Sequence, residues 1–467
     1  MNKSYSKRLA VLTIAAFILA ALFAVIAFLR YNRNRDVQSE ATPPAQPDLL
    51  LASPAELKRH ALSLFAQYTM SGKPQWESWK DKCEVHLLDD CGQTDKGNEP
   101  PPQFHLDRSV QIPPQVEFAN EILRLDSDKT KPAEVNEKNP VLQIVYYNDA
   151  AAASILNQRL FSGTILENRR KQLIQNQVSI SDLTVPDFDP GSVIVKTIWQ
   201  AIFRDKDTST GYKIFRTFNN GVKVMHDVFP HQLHPIVDWP FALVDTTQPE
   251  KCSQSKDNKG IYVYTLGCFL FHEISPEELK NIPDAIIPSS IDPTLCVSHK
   301  CYLLFMGTHI MTRETPNWVW MTFWWTNEGR PASISNKWDF FEAKASINNQ
   351  LSDADQCSHK NQRSTANRFS ITNAFCSIAN PYLEGPTSGM DPNCLDCHRF
   401  AAYNPAFKVE TAIRNFGVNA SLAHSQNLQE PLCYFKDSLR THFLWTIAVP
   451  LDNSISQNNN PCDITSR

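Results

Sequence analysis

Cys301-Tyr302-Leu303-Leu304-Phe305-Met306-Gly307-Thr308-His309-Ile310-Met311 and Asn317-Trp318-Val319-Trp320-Met321-Thr322-Phe323-Trp324-Trp325-Thr326 are the two stretches that decide the architecture of this chain. Both are dense in aromatic, β-branched and methionine side chains, the composition of strands buried in a sheet. Arg313 and Glu314 fall between them as turn or surface charges. Alternate side chains of a strand share a face. Phe305, Gly307, His309 and Met311 are therefore expected on one side, with Leu304, Met306 and Thr308 on the other. In the second stretch apolar side chains occupy both faces, which requires burial on both sides or cover for a large hydrophobic object. Gly307 permits close approach of something flat. The indoles of Trp318, Trp320, Trp324 and Trp325 each carry an N–H that needs an acceptor when buried.

The same strand signature recurs at 141–147, 192–203, 212–218 and 261–274. Val193, Val195, Thr197 and Trp199 alternate with Ile194, Lys196 and Ile198. An ammonium in so apolar a run requires a charged partner, an acidic side chain or the carboxylate of a bound group, unless it snorkels from an edge strand. Helices are expected over 149–161 and from Pro54-Ala55-Glu56 onward, where Leu57, Leu62, Leu64 and Phe65 supply the apolar positions. Among 467 residues proline is frequent (31) and glycine scarce (14). This favours a loop-rich α+β fold with a mainly antiparallel sheet over a glycine-punctuated doubly wound one. A formal charge of −4 gives no pull toward nucleic acid.

Cys394-Leu395-Asp396-Cys397-His398 carries chemistry of its own. Two thiols at i and i+3 followed directly by an imidazole form the c-type haem attachment pattern. Each thiol adds across one haem vinyl group, and His398 becomes an axial ligand of the iron. A zinc site usually needs a second close pair of ligands, and no other Cys-x-x-Cys occurs. Redox thiols sit at the start of a helix after a strand, whereas Pro392 and Asn393 follow a loop here. The second axial ligand is sought on the strand 301–311: His309 is preferred, with Met311, Met306 or an open position as alternatives. His226, His231 and His234 cluster in sequence, but Pro230 and Pro235 place them in a loop rather than on a metal-gathering helix face. Arg399 and Tyr403 stand where they can reach haem propionates or the ring edge.

The ten remaining cysteines are an even number, suited to as many as five disulfides in an oxidising compartment. Pairing of sequence neighbours (83–91, 252–268, 296–301, 357–376, 433–462) is the simplest scheme. Upstream, residues 1–8 form a basic stub, and 9–29 run without charge for about 30 Å of helix, the hydrocarbon thickness of a bilayer. A cleaved signal is the competitor, but its apolar region is usually 7–15 residues long. The expected organisation is a cytoplasmic stub (1–8), a transmembrane anchor (9–29), a proline-bearing linker (30–52) and one extracytoplasmic domain (53–467) with room for two lobes. Charges flank the span almost evenly, so haem attachment and disulfides set its orientation: single-pass in a bacterial inner membrane, with the main domain periplasmic.

The chain resembles a family of bacterial single-haem c-type cytochrome-like proteins. The resemblance rests on Lys196 and Trp199, then on Gly307 and His309 leading into Trp318, Trp320, Thr322 and Phe323. It continues through Asn380, Tyr382 and Leu383 to the haem box Cys394, Cys397 and His398, spanning about residues 140–400. It implies covalent haem and export, strengthens His309 as a ligand, and supplies no reaction. One haem box, rather than two, argues against carrying over bacterial peroxidase activity. The expected role is one-electron transfer outside the cytoplasm by a membrane-anchored cytochrome with one covalent haem c and a redox partner protein. The alternatives are a haem-dependent oxidoreductase or gas sensor with an open iron site, and a disulfide-rich assembly protein in which haem is structural. Whether the chain is an enzyme stays open at this point.

Overall fold

Ten-residue and twelve-residue strands, Val193–Ile202 and Cys301–Thr312, run side by side through the middle of the principal sheet. The computed structural model describes residues 49, 52–70, 73–86, 141–179, 182–202, 213–215, 242–258, 260–279, 296, 300–326, 336–347, 350–351, 380, 382, 398, 401–405, 437–442, 444 and 447. In chain order the elements are α1 (Pro54–Phe65), β1 (Lys80–Asp81), α2 (Lys82–Val85), β2 (Val141–Tyr147), α3 (Asp149–Gln158) and α4 (Gly163–Gln175). β3 (Val193–Ile202), β4 (Lys213–Phe215), β5 (Ala242–Asp245), β6 (Gln254–Lys256), β7 (Tyr262–Thr265) and β8 (Phe271–Ile274) follow. The one-turn helix α5 (Pro276–Leu279) precedes β9 (Cys301–Thr312), β10 (Val319–Trp325), β11 (Phe341–Ile347), β12 (Gln350–Leu351), β13 (Ala402–Tyr403) and β14 (Leu439–Arg440).

The principal sheet has the order β1-β2-β3-β9-β10-β11-β12, with β8 also paired to β9, and every pairing in it is antiparallel. A smaller sheet, β4-β5-β7-β6, contains one parallel pair, β5 with β7. The expectation of a mainly antiparallel, disulfide-stapled sheet holds, and helices are few among the described residues.

Alternation along β9 holds from Gly307 onward and fails before it. Ile198 pairs with Gly307 but Trp199 pairs with Phe305, so Met306 is the extra residue of a β-bulge. The extra residue moves Phe305 to the opposite face from Gly307, His309 and Met311, correcting the simple period-two reading. Phe305 packs there against Trp76, Trp199 and Phe341.

α1 covers that face, with Phe65 stacked on Phe323 at 4.4 Å. Its start is a reciprocal cap: the Ser53 hydroxyl accepts from the Glu56 amide, and the Glu56 carboxylate accepts from the Ser53 amide. Leu57, Leu64 and Phe65 are buried, but Leu62 is 43% exposed and lies outside the apolar stripe assigned to it. On the other face, α3 and α4 contribute Ala151, Ile155 and Leu166 to a second core with Val145, Tyr147, Ile194, Met311 and Trp320. α3 ends at Gln158, short of residue 161, because Arg159 adopts a left-handed conformation (φ 52°) that closes the helix.

The stretch 261–274 is two strands rather than one. A tight turn, Leu266–Cys268, divides it where Cys268 bonds Cys252. At Gly267 a Cβ would lie 2.6 Å from the Lys251 carbonyl carbon, so only glycine lets the two segments meet. Cys296 bonds Cys301, as the neighbour scheme expects. Cys83 is also disulfide-bonded, while Cys91, Cys357, Cys376, Cys433 and Cys462 lie outside the described residues. So does 9–29, and among the described residues no helix is long and apolar enough to cross a membrane.

Candidate functional site

The face of the principal sheet opposite α1 carries a polar row through an otherwise apolar surface. Register aligns Val145 of β2, Lys196 of β3, His309 of β9, Thr322 of β10 and Lys344 of β11. Side chains aligned this way stand on one face, about 5 Å apart from strand to strand. His309 is 7% exposed and Lys344 6% exposed. Lys196 is half-buried. The adjoining row on the same face is Tyr147, Ile194, Met311, Trp320 and Ser346. Both Lys196 and Met311 are thus immediate neighbours of His309. Met306, held in the bulge, stands in neither row.

His398 comes to this face from a distant part of the chain. Its ring centroid lies 4.6 Å from that of Trp320, with the planes at 51°. The Trp320 indole is held in place by donating to the Asn317 carbonyl at 2.9 Å. The His398 imidazole therefore rests on an aromatic platform diagonal to His309. Cys394, Cys397, Arg399, His226, His231 and His234 lie outside the described residues. Among the described residues no three His, Cys, Asp or Glu side chains gather as a metal site.

The object that approaches Gly307 is Asn380. A Cβ at Gly307 would meet the Phe323 carbonyl oxygen at 2.5 Å and the Asn380 amide nitrogen at 2.8 Å. That amide donates to the Thr322 hydroxyl (3.2 Å) and the Phe323 carbonyl (3.0 Å), while its oxygen accepts from the Tyr382 backbone amide at 3.0 Å. The Tyr382 hydroxyl in turn donates to the Trp325 carbonyl at 3.0 Å. Burial raises this phenol well above its ordinary range, so it stays a donor. Asn380 and Tyr382 are thus pinned onto β10.

Not every candidate joins the site. Tyr403 is buried and donates to the Gly163 carbonyl (3.2 Å), which ties β13 to α4 and leaves that hydroxyl committed elsewhere. Among the indoles, Trp324 shares the His309 face by alternation, and its N–H is buried without a hydrogen-bond partner. Trp318 also lacks one; it adopts a left-handed conformation (φ 63°) at the end of the β9–β10 turn and packs on Phe188.

Three residues of this face had no role in the sequence reading. Lys344 was readable in principle, since Glu342, Lys344 and Ser346 alternate with Phe341, Ala343 and Ala345. Lys82 and His86 were not, because only tertiary folding brings α2 onto β2. Comparison of the chain with known protein families, curated proteins and solved structures finds no match.

Proposed function

We propose that this chain holds one covalent haem c through Cys394 and Cys397, with His398 and His309 as its two axial imidazoles, and that it transfers single electrons. The observation that carries the reading is the convergence of His398, Trp320 and His309 on one sheet face, from segments some 90 residues apart. The residues there fit such a group. Two imidazoles suit an iron, and the Trp320 ring and neighbouring Met311 suit a flat apolar macrocycle. The Trp324 N–H, buried and without an acceptor, is an orphan that a polar group at the ring edge would satisfy. Haem supplies one-electron chemistry when bound. The chain's own part is to hold both imidazoles on a rigid sheet and to keep water from the iron.

The resemblance to single-haem cytochrome-like proteins supports the same reading, because Lys196, Gly307, His309, Trp320, Thr322, Asn380 and His398 all meet at this face. A periplasmic location with residues 9–29 as the inner-membrane anchor and a protein redox partner belong to this proposal. They are supported by the length of the apolar run and by the disulfides Cys252–Cys268 and Cys296–Cys301.

The test is a haem stain after denaturing electrophoresis, with the intact chain set beside Cys394→Ala/Cys397→Ala. Colour should persist in the intact chain alone; a colourless, fully matured protein refutes the reading. The native protein should then show a low-spin spectrum that carbon monoxide leaves unchanged, and His309→Ala should convert it to a carbon monoxide-binding form. A high-spin spectrum in the unsubstituted protein would instead select an open-site oxidoreductase or sensor.

A further inference from the structure

One ring on the His309 face is fixed by a departure from regular strand geometry. Register sets Trp320 across from Met311 on β9 and Ser346 on β11, and Trp320 is 2% exposed. Its indole N–H donates to the carbonyl of Asn317, three residues earlier, at 2.9 Å. A regular strand offers no such acceptor, because its carbonyls point sideways to the neighbouring strands. Trp318 supplies the departure. Its left-handed conformation (φ 63°) rotates the Asn317 peptide relative to β10, and its own amide is held by the Thr315 carbonyl at 3.0 Å. A bulky residue with positive φ is an outlier, and it persists only where the surroundings hold it. Here they do: Phe188 packs on the Trp318 ring with centroids 5.5 Å apart, and the Arg313 guanidinium lies 6.0 Å from that ring.

The indole fixed in this way meets the imidazole of His398. The two centroids are 4.6 Å apart, with the planes at 51°. The last side-chain torsion of a histidine is intrinsically broad, so the rotation of its ring is set by what it lies against. Turning the Trp320 indole aside would strip a buried N–H of its acceptor. The wall beside His398 is therefore stiff, and its stiffness traces to the strained turn that presents the Asn317 carbonyl.

We propose that Trp320, locked by the Asn317 carbonyl, is the positioning residue of this centre: it sets the rotation of the His398 imidazole plane and so the angle between the two axial rings. This rests on the haem reading above. The effect of Trp320 reaches the iron through His398. Imidazole π orbitals mix with the iron d orbitals, so the angle between the two rings moves the splitting of the ferric levels.

The experiment uses the full-length, matured holoprotein in detergent. Its readout is the low-temperature electron paramagnetic resonance spectrum of the ferric form, whose largest g value reports the angle between two axial imidazole planes. Trp320→Leu and Trp320→Phe are compared with the unsubstituted chain. Trp325→Leu serves as control: it removes a buried indole of the same strand that faces the other way and stacks on Phe269 at 5.0 Å. In Trp320→Leu the largest g value should shift by more than the native linewidth. In Trp320→Phe a ring remains but the anchor to Asn317 is lost, and a smaller shift is expected. Trp325→Leu should keep the native value.

A native g value in Trp320→Leu with haem attached overturns the proposal. So does an equal shift in Trp325→Leu, which would mean that any loosening of the sheet moves the ligand. If Trp320→Leu does not accumulate, Trp320→Phe decides, and an unmoved line there overturns the clamp. If the unsubstituted chain holds no haem, or its iron is not low-spin, the two-imidazole reading itself fails, and that outcome is visible before any variant is made.

Discussion

Gly307→Ala should be among the most damaging single-methyl additions in this protein, and the structure says why. The new Cβ would lie 2.5 Å from the Phe323 carbonyl oxygen, which is backbone of the adjacent strand, and 2.8 Å from the Asn380 amide nitrogen. Neither distance is tolerable, so β9 and β10 must part or Asn380 must leave. Overpacking a core by one methyl costs about 1–3 kcal/mol. Expelling Asn380 forfeits its bonds to Thr322, Phe323 and the Tyr382 amide, at about 1 kcal/mol each. A loss of about 3–5 kcal/mol is expected in denaturant melts of the disulfide-intact chain, and it should appear as a lower midpoint with an unchanged slope. Asn380→Ala alone should cost about 2–3 kcal/mol. The double variant should be less destabilised than the sum by about 1 kcal/mol or more, because the two changes share one contact. The reasoning is refuted if Gly307→Ala costs less than about 1 kcal/mol, or if the two substitutions are additive.

Other predictions follow from single features. Burial holds the folded-state His86 near 4, below its ordinary 6.5. The folded chain therefore binds fewer protons than the unfolded one, and stability is intact above about pH 6.5 and declines as pH falls toward 4. The decline should total about 3 kcal/mol; His86→Leu should flatten that limb of a pH series of denaturant melts, and an unchanged slope counts against it. Ser53→Ala removes one half of the reciprocal cap of α1 and should cost about 1 kcal/mol in the same melts. Leu62→Glu, at an exposed position, should stay within about 0.5 kcal/mol of neutral, whereas Leu64→Ala two residues on should cost about 2–5 kcal/mol. Loop-closure entropy gives about 3 kcal/mol for Cys252–Cys268 (separation 16) and about 2 kcal/mol for Cys296–Cys301 (separation 5). Paired Cys→Ala variants should melt in that order.

What the sequence made legible was whatever follows a local period. Val141–Tyr147, Val193–Ile202, Cys301–Thr312 and Val319–Trp325 are strands within a residue or two of the expected bounds, because each is long, β-branched or aromatic, and buried. Counting in twos set Lys196 beside Ile194 and Ile198, and His309 beside Gly307 and Met311, but only the register puts the two sets on one face. The bulge at Met306 could not be placed that way, since Gly307 signals a close approach as readily as a bulge and does not say which residue is extra, and one inserted position sends Phe305 to the opposite core. Gly307 was legible as a site of close approach, but the approaching group is an amide 73 positions later. Leu62 fits a helical stripe on paper, yet only packing of α1 on β11 decides which edge of that stripe meets solvent.

The missed residues share a cause that bears on function. Lys82, His86 and Lys344 carry no motif; they matter only through the neighbours that tertiary folding gives them. A sheet whose core is otherwise aromatic and aliphatic places Lys196, His309, Thr322 and Lys344 in one row, and burying an ammonium costs several kcal/mol that its partners must offset. An apolar row would have made a more stable sheet at lower risk. Under the haem proposal that row and the imidazole of His398 on Trp320 would form the wall that the group faces.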